Sequence, residues 1–504
     1  MSATLLLLLS VITSRGFGPE VRIDHQYLPN HMCYRCAMAI GPGVPSSQPL
    51  YVVYQDDSMR GPTIIRSDIM FQKSTDAGRT WLPEDVLIRR GERYAMSPDI
   101  TTDSDGNVYI MYTDLINDPD GASDRHLLCT RSSDGGATWS ALARIDDDTV
   151  KYVGMTSIAA GSGGDLFCAW TDWRTGYSHI WSSVSTDRGV TWSRNVRVDD
   201  DTTDYDCAHA EVFVQPGTNH YLVAAQVPRE FEEVPYVRMC AFLYRSTDRG
   251  LTFGPGIQLD TFNRFAAHPH VVADRDHIIC DYSGHVRTVR DTVITEARTF
   301  YTQADSWGSP VAVTSLDFLH ELYYSGTLAI SGDGRVHTAL MVKDTAHGHN
   351  ICYASSSDHG VTWSNLEVVN VDTARLGRWY PEIVADSAGH VYVVWTADGK
   401  IWFSTNSHLP GIAAEMSNAG LRAANNSPTV VRNVLFLPKM GTVPSGTVPI
   451  FGPSLLDISG RKVMDLQSGA NDVRALAPGV YFVPGPMTED GRPGASVRKV
   501  VVTR

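Results

Sequence analysis

At 504 residues the chain is longer than one ordinary domain, and 43% of it is apolar, enough for a sizeable core. A formal net charge of −14 with no block of Lys or Arg argues against nucleic acid and anionic membrane surfaces as partners. The acidic balance reads first as a solubility feature. In chain order, the first element is an apolar run, Leu5–Ile12, too short to span a bilayer. It reads as the core of a secretory leader, residues 1–18, processed before Pro19. No later segment reads as a transmembrane helix.

Cys33-Tyr-Arg-Cys36 has the spacing of a redox or zinc pair, yet no second pair or His cluster completes a zinc set. Whether Cys33, Cys36 or Cys207 form disulfides stays open at this level. Cys129, Cys168, Cys240, Cys280 and Cys352 sit in apolar strand-like runs and read as buried thiols.

From Ser74 onward one octapeptide recurs, Ser-x-Asp-x-Gly-x-Thr-Trp/Phe, at Ser74–Trp81, Ser132–Trp139, Ser185–Trp192, Ser246–Phe253 and Ser356–Trp363. Asp76, Asp134, Asp187, Asp248 and Asp358 can each accept N–H groups of their own turn. The Gly supplies a positive φ, the Thr starts a strand, and the aromatic ring has to be buried. Starts are 58, 53, 61 and 110 residues apart, and the last interval hides a degenerate unit near Thr299–Trp307. A further turn at Ser404–Asn406 lacks the Gly and the Trp.

Each unit carries two strands before its turn, as in Pro98–Asp103 with Asn107–Tyr112 and Pro381–Asp386 with His390–Trp395. A third strand leads into the octapeptide and a fourth leaves it. Four antiparallel strands per 50–60 residues is the arithmetic of a propeller blade. Seven units begin near Tyr34, Tyr94, Tyr152, Tyr205, Phe265, Tyr324 and Tyr380. The seventh stops near Ile412 without a fourth strand, whereas Glu20–Asp24 matches the fourth strands Ala143–Asp146 and Val196–Asp199. The N-terminal segment is therefore predicted to complete the last blade and close the ring. The expected fold is all-β: a seven-bladed (alternatively six-bladed) β-propeller of four-stranded antiparallel blades over residues 19–412. An Ala/Asn/Ser-rich linker, 413–428, and a small β domain, 429–504, follow it.

The octapeptides resemble the Asp-box, or BNR, repeats of sialidases and related β-propellers, which implies a structural role on the rim away from any active site. Ile458–Val463, Leu476–Phe482 and the basic-flanked Arg498–Arg504 resemble the C-terminal sorting domain of type IX secretion. That resemblance implies an immunoglobulin-like sandwich, the type IX secretion machinery as a partner, and a place outside or on the surface of a Gram-negative-type bacterium. A stabilising immunoglobulin-like appendage is the alternative.

Chemistry in a propeller is expected over the channel, where the innermost strands begin. Arg35, Arg93, Arg264 and Arg378 flank the aromatics there, and Asp99, Ser157, Glu211, His270, Thr327 and Glu382 occupy equivalent positions a few residues on. Guanidinium groups bind carboxylate bidentately, so the set suits a carboxylated sugar. Tyr34-Arg35 matches the first half of the sialidase motif Phe/Tyr-Arg-Ile-Pro, with Cys36-Ala37 replacing the second half. The resemblance implies Arg35, Arg264 and Arg378 as a carboxylate triad, with Arg93 a further substrate-binding residue. It implies Tyr380 as nucleophile, partnered by Glu211 or Glu230, and Asp57 in Gln55–Arg60 as acid/base. Each has a plainer alternative: the arginines stack or pair locally, and Tyr380 packs.

His268-Pro-His270 lacks a third metal ligand, so no metal is assigned there. Asp146–Asp148 and Asp199–Asp201 read as solvated acidic loops, with Ca²⁺ as the alternative, and no other cofactor is expected. The functional expectation is a secreted or cell-surface propeller that recognises a glycan or glycoprotein ligand, with exo-sialidase-type glycoside hydrolysis the leading activity. A non-catalytic adhesion or protein-binding propeller is the rival, because a fold does not choose between them.

Overall fold

The computed structural model describes residues 16–407 apart from loop segments 26–30, 46, 61–62, 92–94, 118–122, 148–152, 232–233, 261–264, 287–291, 316–326, 345–347 and 372–376; beyond 428 it describes short strands and a few residues beside them. The chain forms two compact units, residues 1–407 and 408–504. The leader run and the linker lie outside the described residues, as do Arg93, Arg264 and Asp148. Among the described residues no helix is long and apolar enough to cross a membrane.

Unit 1 is seven antiparallel sheets, six made of neighbours in sequence and the seventh completed by the N-terminal strand. Blade 1 runs His31–Ile40, Leu50–Arg60, Thr63–Ser74 and Val86–Arg90, in that spatial order. The same up-and-down order repeats from Met96, Val153, Ala208, Phe265, Leu328 and Arg378. The ring is thus seven-bladed, not six-bladed. Blade 5, the degenerate unit, adds a strand, Val311–Ser315, beside Thr292–Tyr301. In place of a box it has a short turn in which Asp305 takes φ 46° without a glycine.

Closure follows the expected route. Val21–Arg22 pairs with Trp402 and Phe403 as the fourth strand of blade 7. Asp24 then accepts the Ile401 N–H at 2.7 Å, in the same way that Asp146 accepts Leu127 and Asp199 accepts Ile180. In each of these blades the acid ends the short outer strand and satisfies an N–H that the strand leaves uncovered. Phe17, within the segment read as leader, is 4% exposed and packs edge-on against Tyr353 of blade 6.

Each octapeptide builds the same turn. In the first, Ser74 donates to Asp76 and accepts the Gly78 N–H, while Thr80 donates both its N–H and its hydroxyl to Asp76. The other four repeat this set. The aromatic then joins two blades: Trp139 of blade 2 stands edge-on to Phe71 of blade 1, and Trp81 of blade 1 to Phe403 of blade 7. The box glycine serves that joint too. A Cβ on Gly136 (φ 87°) would sit 2.6 Å from the Phe71 ring.

The core lies between blades. Ile69 and Phe71 of blade 1 pack with Ile110 and Tyr112 of blade 2, and comparable clusters fill other joints. Each such side chain contributes roughly 1.5–3 kcal/mol by leaving water. All eight cysteines are buried and none is disulfide-bonded. Unit 2 contains a five-stranded sheet, in which Thr429–Val431 runs parallel to Val497–Val502, and a separate two-stranded sheet.

Candidate functional site in the channel

The innermost strands share a feature with no sequence signature. Among the described residues, six of the seven carry a bulge in which a non-glycine residue takes a left-handed φ of 43–54°: Arg35, Ser97, Met155, His209, His268 and Tyr380. Such a conformation strains an L-residue, and it recurs because the bulge re-aims the side chain toward the channel. These residues touch around the ring. The Arg35 guanidinium lies 5.7 Å from the Tyr380 ring centre and donates to Ser97, the His209 N–H points at the Met155 sulfur, and the His209 and His268 rings are 3.8 Å apart. The Tyr34 and Tyr380 hydroxyls are 2.5 Å apart.

Two residues on, a second tier holds Ala37, Asp99, Ser157, Glu211, His270 and Glu382, joined by Thr327 of blade 6. Both tiers line one cavity of about 300 Å³. Part of the lower tier stitches blades together: Asp99 accepts the Ile158 N–H, Ser157 that of Val212, Glu211 that of Val271, and Thr327 that of Ile383. Each acceptor lies on one blade and its donor on the next.

Glu211 goes beyond stitching. Its side chain keeps 27% of its surface open, and its carboxylate lies 3.4 Å from His270 Nε2. His270 Nδ1 in turn lies 3.0 Å from Asp281, which is fully buried in the second strand of blade 5. Burial pushes Glu211 up to about 7 and Asp99 up to about 6, and it raises Glu382 well above the usual range. Burial works to lower His270, but Glu211 and Asp281 override it and hold the imidazole up at about 9. His268 falls to about 3 through burial, with the charges of His270 and Arg35 adding to it. The result is a protonated His270 between two carboxyl groups, one of them able to hold a proton near neutrality.

Of the residues given a catalytic or substrate-binding role from sequence, Arg35, Tyr380 and Glu211 line this cavity, together with the equivalent positions Asp99, Ser157, His270, Thr327 and Glu382. Glu211 belongs to blade 4, across the ring from Tyr380 on blade 7, so the two face each other rather than sit side by side. Arg378 is not in the lining. It is fully buried and donates to the His349 carbonyl at 2.8 Å. Asp57 is buried in the second strand of blade 1, beside Met32, and accepts from Gln55 at 2.7 Å. Glu230 is exposed near the end of Tyr221–Phe231. Asp147, Asp200 and Asp201 are engaged by Arg174 and Arg229. Asp281 was missed. Its signal was an acid inside the apolar run of Ile278–Tyr282, on the strand that pairs with His270.

Comparison with known proteins agrees with the repeat. Residues 66–280 match the BNR repeat-like domain family. No curated protein sequence matches the chain. Among solved structures, one similar chain is a protein of unknown function from Dyadobacter fermentans, 14% identical over 77% of this chain and 97% of its own, with a TM-score of 0.46. Another is a Hadza microbial sialidase, 14% identical over 74% of this chain and 65% of its own, TM-score 0.44. A third is a mutant α-L-arabinofuranosidase from Fusarium graminearum, 14% identical over 68% of this chain and 98% of its own, TM-score 0.42. Four of the five boxes, those starting at Ser74, Ser132, Ser185 and Ser246, fall within the matched residues.

Proposed function

We propose that the channel cavity is a carbohydrate site and that the protein acts on a terminal sugar as a glycoside hydrolase, with Glu211 as proton donor. The observation that carries this reading is Glu211 itself, open to the cavity and held up at about 7. Glycoside cleavage needs an acid that is protonated near working pH to give its proton to the leaving oxygen. His270, backed by Asp281, fixes the carboxyl in place. Asp99, at about 6, is ionised at neutral pH and supplies the second carboxylate. The cavity is at the small end of ligand pockets, which run to about 300–1,000 Å³, and so suits a single sugar ring. Tyr380 brings an aromatic ring to the cavity wall, and Arg35 beside it offers a donor fork for a hydroxyl or carboxylate.

The exo-sialidase form of this reading needs three arginines on the sugar carboxylate. Arg35 is in position, and the burial of Arg378 weighs against the triad drawn from the resemblance. A non-catalytic binding propeller is favoured by a different observation, the use of Asp99, Ser157, Glu211 and Thr327 as blade-to-blade acceptors, which gives the fold its own need for them. A panel of fluorogenic sialosides and neutral glycosides separates the two. Turnover that Glu211→Gln abolishes without lowering the melting temperature supports hydrolysis. Glycan-array binding without turnover supports the binding module, and neither result overturns the carbohydrate site.

We propose as well that the protein is exported to the cell surface or beyond by a leader carried on the apolar run ahead of the buried Phe17 and a C-terminal immunoglobulin-like sorting domain at 429–504. The support is the apolar run Leu5–Ile12 and the motifs Ile458–Val463 and Leu476–Phe482. Cell fractionation of full-length protein against a chain ending at residue 428 tests it, and equal export of both overturns the sorting role.

A further inference from the structure

At the opposite end of the blades from the channel cavity, an arginine just before the box glycine reaches back, in two of the five boxes, to an acid in the first turn of the preceding blade; the first two boxes have Ala77 and Gly135 there. Arg188 of blade 3 pairs with Asp105 of blade 2, and Arg249 of blade 4 pairs with Asp165 of blade 3. At the joint between blades 5 and 6 the arginine is replaced by His359, facing Asp274. The turn that holds Asp274 adds a second imidazole, His277. Its Nδ1 is 3.1 Å from both carboxylate oxygens, and His359 Nδ1 is 3.2 Å from one of them. The two rings stack with centres 3.8 Å apart and planes 15° from parallel.

An arginine–aspartate pair is complete in itself, but this substitute is not. His359 Nδ1 is shut off from solvent and has no hydrogen-bond partner, its approach to Asp274 lacking the required geometry. A shielded, unsatisfied nitrogen is costly, and here it points into a nest of two imidazoles and a carboxylate. The donor atoms of all three residues lie within 4.8 Å of one another. Small side-chain rotations bring such a set onto one ion with bonds of about 2.0–2.2 Å.

We propose that Asp274, His277 and His359 form a site for a divalent transition-metal ion of the Zn²⁺ type, which staples blade 5 to blade 6 in place of the arginine used elsewhere. The two imidazole nitrogens are borderline ligands, and with one carboxylate oxygen beside them they favour Zn²⁺ and its neighbours over Ca²⁺ or Mg²⁺, which take oxygen alone. Three protein ligands leave the fourth tetrahedral position to water. A second His/Cys/Asp group, His179, Asp201 and Cys207, makes a poor comparison. Arg229 already pairs with Asp201, Arg197 lies 2.9 Å from His179 Nδ1, and burial with Asp199 and Asp201 holds Cys207 away from the thiolate form.

The test uses the full chain, stripped of metal by a chelator and titrated with Zn²⁺ by calorimetry and with Co²⁺ by visible absorption. Two variants copy other blades: His359→Arg restores the Arg188-type pair, and His277→Asn copies Asn107, which donates to Asp103 at 2.7 Å. The wild type is expected to bind one equivalent and to melt at a higher temperature with excess Zn²⁺. Each variant is expected to bind at least about tenfold more weakly, since even outer-shell losses cost that much, while melting like the metal-free wild type. Absence of saturable binding in the wild type, or undiminished binding in both variants, overturns the site. If one variant does not fold, the other carries the comparison.

Discussion

Asp134, in the second box, is exposed and receives the Thr138 hydroxyl, the Thr138 N–H and the Ser132 hydroxyl, bonds that hold its carboxyl below the usual range. Glu211, on the innermost strand of blade 4, is enclosed in the channel, and burial raises it to about 7. The box acid is charged and saturated, and its environment recurs five times. The channel acid is reluctant to ionise and sits beside His270, and its equivalents in other blades differ: Ala37, Asp99, Ser157, His270, Thr327 and Glu382. Repetition marks what every blade needs, namely a turn and an aromatic for the next joint. Departure from repetition, within the same strand position, marks where the blades stop being interchangeable.

The box end should break the fold when touched. Gly136→Ala places a Cβ against Phe71 at a left-handed φ, and is expected to cost about 2–4 kcal/mol in denaturant unfolding. Asp24→Ala removes the acceptor for Ile401 in the closing strand and is expected to cost about 1–3 kcal/mol, with Asp146→Ala, the same bond in blade 2, as the matched control. A loss confined to Asp146→Ala would mean that the ring closes without the N-terminal strand.

The channel end should respond to pH instead. A carboxyl whose folded pKa is raised stabilises the fold fully below its unfolded value, and that contribution is lost as pH rises through the folded value. Glu211→Gln keeps an oxygen for the Val271 N–H and cannot ionise. It should therefore gain on the wild type, by on the order of 1–2 kcal/mol, as pH rises from about 4 through about 7. Unfolding midpoints across that range check this, and a constant offset would mean that Glu211 ionises freely. The smallest effect is expected from Arg35→Ala: stability within about 0.5 kcal/mol, because its contacts with Ser97 and Tyr380 are made at the cavity wall and not in the apolar core between blades, but sugar binding about tenfold weaker.

Much of the fold was legible because its devices are local. Ser74–Trp81 and its copies announce the blade period, and Glu20–Asp24 announces the missing strand by repeating Ala143–Asp146. The lower channel tier was legible for the same reason, as equivalent positions in a repeat. The arginines were not. Arg35 and Arg378 both adjoin aromatics at a strand start, yet the bulge makes Tyr380 the equivalent of Arg35, and Cys33 the equivalent of Arg378. That earlier position is core throughout: Cys33, Ala95, Val153, Cys207, Ala266 and Arg378 are all at most 2% exposed. One extra residue with φ near 50° shifts every side chain before it, and no residue type in Arg35, Ser97, Met155, His209, His268 and Tyr380 betrays it. Asp281 was hidden because its partner lies on the neighbouring strand, and cross-strand pairs carry no sequence spacing.

The proposed hydrolysis places its acid at Glu211, in the channel. The most direct measurement is turnover of a fluorogenic glycoside panel by wild type and Glu211→Gln, from pH 5 to 9, with melting curves on the same samples. The expected outcome is a wild-type rate that falls as pH rises through about 7, and a variant slower by about 10²–10⁴-fold at unchanged melting temperature. Equal rates in the two proteins, or a wild-type rate that climbs through that range, would contradict it.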